Sequence, residues 1–339
     1  MHTGPVDAEQ ALRLVRASGV PVESLALYGR WWQLEVWLRQ LAYLVLRAAW
    51  GAAWETELNR QATKYAKNDN LVHLVRPDQP DLLGYLDFGS LLGLIEDNDN
   101  WKLFEPFLLQ RAVWNGRAVE MHAIRNRVGH VRRAGSRDRE RVEQLLSDLE
   151  PGFRETLRAI STWPVEANGP GICDPVAADY ASGRLGGACE HLRRKYGFDV
   201  DLSVSEMPWA EVPNPQGEMS RVAGVLWHLS IGGPDRFVNP SRLADMIQPV
   251  RNNVVYVFAG TALGAQVAVP AVDDVEDVLR ALTHFAAGYP SCTVAMERVS
   301  TEDAETWPGD VTTLDSRILV EHLFAVAPSS DARGSVFGV

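Results

Sequence analysis

Residues 27–45 have the sequence LYGRWWQLEVWLRQLAYLV, in which large apolar side chains recur at alternating steps of four and three residues. The side chains at this spacing are Leu27, Trp31, Leu34, Leu38, Leu41 and Val45. An α-helix turns once in about 3.6 residues, so the spacing places them along one side of a helix. Glu35 and Arg39 lie outside this stripe, four residues apart, in the order that favours an exposed ion pair. The segment therefore predicts a long helix with one buried side.

The rest of the first half also has helical periodicity, and no strand-like alternation precedes residue 160. The pattern predicts further helices over Ala8–Ala17, Trp54–Lys67, Leu82–Asn98, Trp101–Gln110 and Ala112–Val128. A last helix is predicted to have Asp138 as its N-cap and to break or kink at Pro151-Gly152. These segments predict an all-α helical bundle over residues 24–162, after an N-terminal helix or extension over residues 1–23.

The pattern changes after a stretch rich in Pro and Gly, residues 163–178, which is typical of a linker. Strands are then predicted at Phe198–Val204, Val225–Ile231, Asn253–Phe258, Gln266–Val269, Cys292–Val299 and Arg317–Val326, and helices at Ser241–Gln248 and Asp273–Phe285. The expected fold class is thus multidomain: the helical bundle followed by a C-terminal α+β domain over residues 179–327. We expect the tail, residues 328–339, to be mobile.

Length and composition exclude several classes of protein. A chain of 339 residues with 46% apolar and 23% charged residues is typical of a globular protein with two domains. No apolar run is long enough to span a membrane, and the first residues lack the pattern of a signal peptide, so we expect a cytoplasmic protein. Three cysteines are too few and too scattered for a disulfide framework or a Cys-based zinc site.

The net charge of −11 is distributed unevenly along the chain. Residues 1–160 contain 21 Lys/Arg and 21 Asp/Glu, whereas residues 161–339 contain 12 and 23 and so carry the whole excess. Within the neutral half, residues 117–141 contain eight arginines and three acidic residues, a local charge of +5. Because the guanidinium group suits phosphate oxygens, this segment indicates a phosphate-binding surface. A solvated helix face is the alternative.

The basic segment contains the sequence Arg125-Asn126-Arg127-Val128-Gly129-His130. Arginine followed by histidine five residues later is not diagnostic by itself, since Arg117/His122 and Arg317/His322 have the same spacing. Only Arg125 is followed by an amide, and only His130 is followed by more arginine. Gly129 is expected to end or loosen the helix beside His130. The segment therefore indicates an amide, an imidazole and a guanidinium presented to one phosphate.

This segment resembles the HEPN superfamily, helical bundles whose ribonuclease members carry an arginine, a polar residue and a histidine in this pattern. Leu34–Arg39 is similar to the acidic early-helix signature of the family. Leu86-Asp87-Phe88-Gly89, Trp101–Phe104 and Ile124–His130 follow in the order of its toxin-like and defence-associated members. The resemblance covers about residues 24–160 and does not extend to residues 165–339.

The resemblance implies a metal-independent endoribonuclease without cofactors, acting as a toxin or phage-defence effector. His130 would be the acid/base, Arg125 would stabilise the transition state, and Asn126 would orient the phosphate or the imidazole. RNA would contact Arg127, Arg132 and Arg133, and a homodimer would form a composite active site. Glu35 would either brace Arg125 or form a plain surface pair with Arg39.

The resemblance also has implications for regulation, and there are alternatives to the ribonuclease function. Members controlled by adenylylation have a tyrosine where this chain has Arg132, so that control is not expected. The acidic C-terminal domain would be a sensor, a specificity module or a restraint, binding an antitoxin or regulatory partner. There are two alternatives to a ribonuclease. One is a non-catalytic HEPN interaction or dimerisation module, and the other is a scaffold in which Arg125 and His130 only cap a helix end. His228 is expected to be a structural sheet histidine, and neither zinc nor a phosphate loop at Gly183–Gly187 is expected.

Overall fold

The computed structural model describes residues 8–58, 62–64, 67, 82–130, 132–165, 174–212, 218–233, 236–261, 264–295 and 317–319. Its first part contains six α-helices among these residues: α1 (Ala8–Ala17), α2 (Val22–Trp50), α3 (Phe88–Glu96), α4 (Asn98–Phe104), α5 (Arg111–Gly129) and α6 (Asp138–Ala159). The predicted long helix is α2, and all six side chains of the apolar stripe are buried. An N-terminal helical region is thereby confirmed, and none of the described helices is long and apolar enough to cross a bilayer.

Several predicted helix boundaries are wrong because glycine and proline interrupt the helices. Gly51 has φ +55 and ends α2, so a 3₁₀ helix, Gly51–Glu57, occupies the start of the predicted Trp54–Lys67 helix. The predicted Leu82–Asn98 helix is a 3₁₀ turn, Leu82–Tyr85, followed by α3, whose N-cap is Asp87. The predicted Trp101–Gln110 helix gives way to a 3₁₀ helix, Glu105–Phe107, at Pro106.

Of the break or kink expected at Pro151-Gly152, the break does not occur, since α6 continues to Ala159. Leu149, Phe153 and Thr156 on one side of α6 are fully or almost fully buried, so packing favours the helix beyond the proline. Gly152 is required here because a Cβ would lie 1.8 Å from the carbonyl oxygen of Phe107. Asp138 is also not the N-cap, which is Arg137; Asp138 is the first helical residue.

The second part contains eight strands among the described residues, in two sheets. These are β1 (Trp163–Pro164), β2 (Asp199–Glu206), β3 (Val225–Gly232), β4 (Arg236–Val238), β5 (Tyr256–Thr261), β6 (Gly264–Pro270), β7 (Thr293–Ala295) and β8 (Ile318–Leu319). Six form one sheet in the order β1-β2-β3-β6-β5-β8, antiparallel except for β5 and β8, while β4 pairs with β7. Half of the predicted Cys292–Val299 strand, most of the predicted Arg317–Val326 strand and the tail lie outside the described residues.

Four helices cover one face of this sheet: α7 (Pro175–Ser182), α8 (Arg184–Tyr196), α9 (Pro240–Ile247) and α10 (Val275–Gly288). Their apolar side chains form one core with the alternate residues of β2, β3 and β6 that face them, such as Leu202, Trp227 and Val267. The described part of the predicted linker, residues 163–178, includes β1 and the start of α7. A C-terminal region containing both sheet and helix is therefore confirmed.

The two regions are not separate bodies, because the other face of the sheet packs against the helices. Met207, Leu226, Val255, Tyr256 and Ala268 belong to the same hydrophobic core as α2 and α6. The Pro- and Gly-rich stretch marks the change of pattern in the sequence. The residues before and after it nevertheless share one hydrophobic core.

Polar contacts at the C-terminal end of α2 complete this junction. The buried guanidinium of Arg47 donates to the carbonyl oxygens of Gly51 at 2.8 Å and of Asn252 and Val254 at 2.9 Å. The Tyr43 hydroxyl donates to the carbonyl oxygen of Val255 at 2.5 Å. Burial lowers the pKa of Arg47, yet arginine stays charged in proteins. This one side chain therefore joins the helical region to the loop before β5.

Replacing Arg47 with alanine should destabilise the whole chain, because three carbonyl groups, two of them in buried hydrogen bonds, lose their donor. We expect a loss of about 3 kcal/mol in the free energy of unfolding, measured by urea denaturation. Arg13→Ala on the exposed helix α1 is the matched control and should change stability by less than about 0.5 kcal/mol. Equal midpoints for the Arg47 and Arg13 variants would contradict the assigned role of Arg47.

Candidate functional site

The segment singled out by the sequence forms the last turn of α5 and the residue that caps it. The helix ends at Gly129, and His130 leaves it with φ −100 and ψ 17. Asn126 and His130 are exposed and Arg125 is half-buried. Within the described part of the chain, none of these three side chains forms a hydrogen bond or an ion pair. The three residues that were expected to act together therefore lie on an accessible surface.

The Arg125 guanidinium lies beside Gly129. A Cβ at Gly129 would be 3.4 Å from Nη1 and 3.6 Å from Cζ of Arg125, which are ordinary van der Waals distances. The guanidinium thus lies along the last helical turn, next to the residue that precedes His130. The helix ends at Gly129, as the sequence predicts.

Arg127 does not share this surface, although it was expected to contact RNA. Its Nε and Nη2 donate to the two carboxylate oxygens of Asp138 at 2.6 Å each, and the Gly135 amide donates to the same carboxylate at 2.8 Å. Burial would raise the pKa of Asp138, but these hydrogen bonds outweigh it and lower the pKa below its ordinary value. Arg127 therefore holds the end of α5 against the start of α6.

The other arginines of the basic segment divide into two groups. Arg117 pairs with Asp148 and Glu120, Arg139 with Glu23 and Glu143, and Arg141 with Glu120. Arg132, Arg133 and Arg137 are exposed and form no ion pair with the described residues. Carboxylates distant in sequence thus neutralise half of the basic segment, and the uncompensated charge is concentrated between α5 and α6.

Glu35 does not brace Arg125 in this structure. It forms an ion pair with Arg39 and accepts a hydrogen bond from Nε1 of Trp31 at 2.9 Å. Arg39 also donates to the carbonyl oxygens of Leu83 and Leu86, just before α3. The pair predicted as a plain surface contact therefore also fixes the turn that leads into α3.

His122 and Asp87 lie beside the candidate site and were not predicted as members of it. The exposed ring of His122 packs edge-on against Phe88, with centroids 5.7 Å apart. The Ser90 amide hydrogen bond lowers the pKa of Asp87, and the positive charge of Arg125 lowers it further. The sequence spacing of His122, Arg125 and Asn126, at i, i+3 and i+4, could have predicted that His122 is a neighbour of the other two on the helix surface.

The histidine in the sheet of the second region is not accessible to a ligand. His228 is fully buried, and its Nε2 lies 2.7 Å from the hydroxyl of Ser205. Burial lowers the pKa of His228 to about 3, so its imidazole is neutral at physiological pH. An open cleft of about 310 Å³ on the sheet has Asp199 and Asp201 in its lining, a charge unfavourable to RNA.

No group of three or more His, Cys, Asp or Glu side chains in the described part of the chain could hold a metal ion. Comparisons with protein-family models, with curated proteins and with solved structures gave no significant match to this chain. The properties of the site thus depend on its own geometry.

The Arg127–Asp138 pair predicts a specific pH dependence of stability. A carboxyl group with a lowered pKa in the folded state stabilises that state above its unfolded pKa, about 3.9, and loses the effect as pH falls through the folded pKa. Asp138→Asn should therefore cost about 2 kcal/mol in the free energy of unfolding at pH 7. The difference from the wild type should shrink below about pH 4.

Denaturant titrations from pH 2.5 to 7 measure this difference. Asp201→Asn, which alters an exposed carboxylate without an ion pair among the described residues, is the control and should leave stability nearly unchanged at pH 7. A cost for Asp138→Asn that does not vary with pH would contradict the assignment.

Proposed function

We propose that this chain is a metal-independent endoribonuclease of the HEPN type that cleaves RNA by attack of its 2′-OH. The observation that carries the proposal is the exposed end of α5, where Asn126, His130 and the guanidinium of Arg125 have no partner among the described residues. The nearby carboxylate of Asp138 engages Arg127 and not these groups. The exposed Asn126 and His130, with the half-buried guanidinium of Arg125 next to Gly129 and unpaired among the described residues, can therefore contact a phosphate.

The residue types suit this chemistry. Histidine exchanges protons near neutral pH, so His130 acts as an acid or base on the reacting oxygens. Arginine is always charged and stabilises the pentacoordinate phosphorane formed in the reaction. Asn126, one helical turn before His130, hydrogen-bonds the phosphate or the imidazole. The products are a 2′,3′-cyclic phosphate and a 5′-OH.

RNA contacts extend from this site along the loop that joins α5 to α6. Arg132 and Arg133 are exposed, free of ion pairs with described residues, and lie two and three residues after His130 in sequence. Arg137 at the other end of the loop extends the same positive surface. Arg127 has no place in this proposal because Asp138 occupies two of its nitrogen atoms.

The biological setting that we propose is that of a toxin or phage-defence effector, acting as a homodimer. Exposed apolar side chains at Val22, Tyr28 and Trp32 leave one side of α2 available to a second copy or to another protein. The same observation favours the second candidate function, a non-catalytic interaction module. The acidic second region limits the affinity for RNA by repulsion and is the place for a regulatory partner.

The first prediction from this proposal concerns catalysis. His130→Ala and Arg125→Ala should each lower the rate of RNA cleavage at least about 100-fold, because each removes a group that acts in the transition state. EDTA should not change the rate. Cleavage is measured on total RNA with purified protein, and the new ends are identified as 2′,3′-cyclic phosphate and 5′-OH.

His191→Ala is the matched control, because His191 is an exposed histidine on α8. Circular dichroism and thermal unfolding establish that each variant remains folded. Full activity of His130→Ala, or cleavage that requires a divalent metal, would refute the proposal in favour of the interaction module.

The second prediction concerns the salt dependence of RNA binding. Log K falls with log salt concentration by about 0.7 for each phosphate neutralised on a single strand. The double variant Arg132→Ala/Arg133→Ala should therefore bind more weakly, with a slope lower by about 1.4 if each arginine neutralises one phosphate. Arg184→Ala/Arg194→Ala, two exposed arginines on α8, is the control. Identical slopes for the two double variants would place the RNA elsewhere.

A further inference from the structure

We propose that His122 is a second proton-transfer residue of the same site, so that a single chain supplies both the base and the acid for RNA cleavage. This inference rests on the proposed function. It departs from the composite site that the resemblance implies, in which a partner subunit completes the site. The evidence is the position of His122 relative to Arg125, Asn126 and His130.

His122, Arg125 and Asn126 lie on one side of α5, and His130 caps its C-terminal end. Successive residues of an α-helix are separated by about 100°, so His122, Arg125, Asn126 and His130 fall within an arc of about 140°. His122 and His130 are eight residues apart, or about 12 Å along the helix axis. Arg125 and Asn126 lie between them in sequence, and the Arg125 guanidinium extends to Gly129. The two imidazoles therefore flank the groups that would bind the phosphate.

Packing holds the His122 ring in position although the side chain is exposed. Phe88 contacts the ring edge-on and itself packs against Trp31 of α2, with centroids 4.7 Å apart. A Cβ at Gly89 would lie 3.0 Å from Cε1 of His122, so the ring rests directly on the glycine backbone. Residues Asp87-Phe88-Gly89 thus form the surface against which the His122 ring packs.

The ring nitrogens of His122 have no hydrogen-bond partner within the described part of the chain, and ring packing accounts for the position of the ring. The charged groups that face it are Arg125 on its own helix and Asp87 at the start of α3, whose Oδ1 would lie 3.4 Å from the same Cβ at Gly89. Cε1 and Nε2 face Gly89, since Nε2 would lie 3.8 Å from that Cβ, so a substrate reaches the ring from its exposed side.

The reaction requires two proton-transfer groups on opposite sides of the phosphorus. One imidazole removes the proton of the 2′-OH, and the 2′ oxygen forms a bond to phosphorus. The bond from phosphorus to the 5′ oxygen breaks, and the other, protonated imidazole gives its proton to that oxygen. Attacking and leaving oxygens stand roughly in line in phosphoryl transfer. His122 and His130, at opposite ends of the Arg125–Asn126 span, match this requirement.

The test compares the pH dependence of kcat for wild type, His122→Phe and His130→Ala. Phenylalanine keeps the ring that packs on Phe88 and removes the proton-transfer group. The wild type should give a bell-shaped profile, and each variant should lose one limb and about 100-fold or more in rate. His191→Phe is the control and should retain the wild-type profile. Thermal unfolding establishes that all variants are folded.

A second substrate separates the two roles. Uridine 3′-phosphate esterified with 4-nitrophenol has a leaving group that needs no acid. The variant that lacks the acid should lose far less activity on this ester than on RNA, while the variant that lacks the base should lose activity on both. Equal losses of both variants on both substrates would contradict the division of proton transfer.

The remaining outcomes distinguish this inference from the proposed function. If the wild type and His122→Phe have the same rate and profile while His130→Ala is inactive, His122 has no part in the reaction and the ribonuclease proposal stands. If the wild type does not cleave RNA, both proposals fail. A mixture of His122→Phe and His130→Ala chains should remain inactive, and recovery of activity would show that the two histidines act from different chains.

Discussion

The buried guanidinium of Arg47 is the interaction on which the arrangement of this molecule depends. A charge taken out of water needs hydrogen-bond acceptors, and Nη1 and Nη2 of Arg47 donate to the carbonyl oxygens of Gly51, four residues on, and of Asn252 and Val254 in one distant segment. Its Nε is buried without a partner among the described residues. The same end of α2 carries Tyr43, which donates to Val255. Helix α2 is thereby fixed on the sheet, and α3, α5 and α6 take their positions from the apolar side of α2.

The candidate site follows from that placement through the distribution of carboxylates. Because α6 packs beside α5, Asp138 and Asp148 meet Arg127 and Arg117 and neutralise them. No described carboxylate pairs with Arg125, Arg132 or Arg133. A basic segment that is continuous in the sequence thus becomes, in the fold, a smaller surface around His130. That surface is where the positive charge of the segment remains unpaired among the described residues.

The positions of regular elements could be predicted where one physical rule dominates. The stripe of α2, the extent of α5 and the central strands β2, β3 and β6 follow from hydrophobic periodicity, which acts over neighbouring residues. The errors occurred where a contact distant in sequence overrides local preference. Pro151 remains inside α6 because Phe153 and Thr156 are buried beyond it, and Gly152 is needed only because Phe107 approaches it closely.

The sequence by itself determined that a helical region precedes a region with a sheet, that the excess of negative charge lies in the second, and that Arg125, Asn126 and His130 lie near one helix end. These properties depend on composition and on helical spacing, which are local. Only the tertiary structure decided that the regions share a core, that Arg127 is occupied by Asp138, and that Asp87-Phe88-Gly89 supports His122. Such contacts join residues that are far apart in the chain, and no periodicity records which carboxylate or ring will meet a given side chain once the chain has folded.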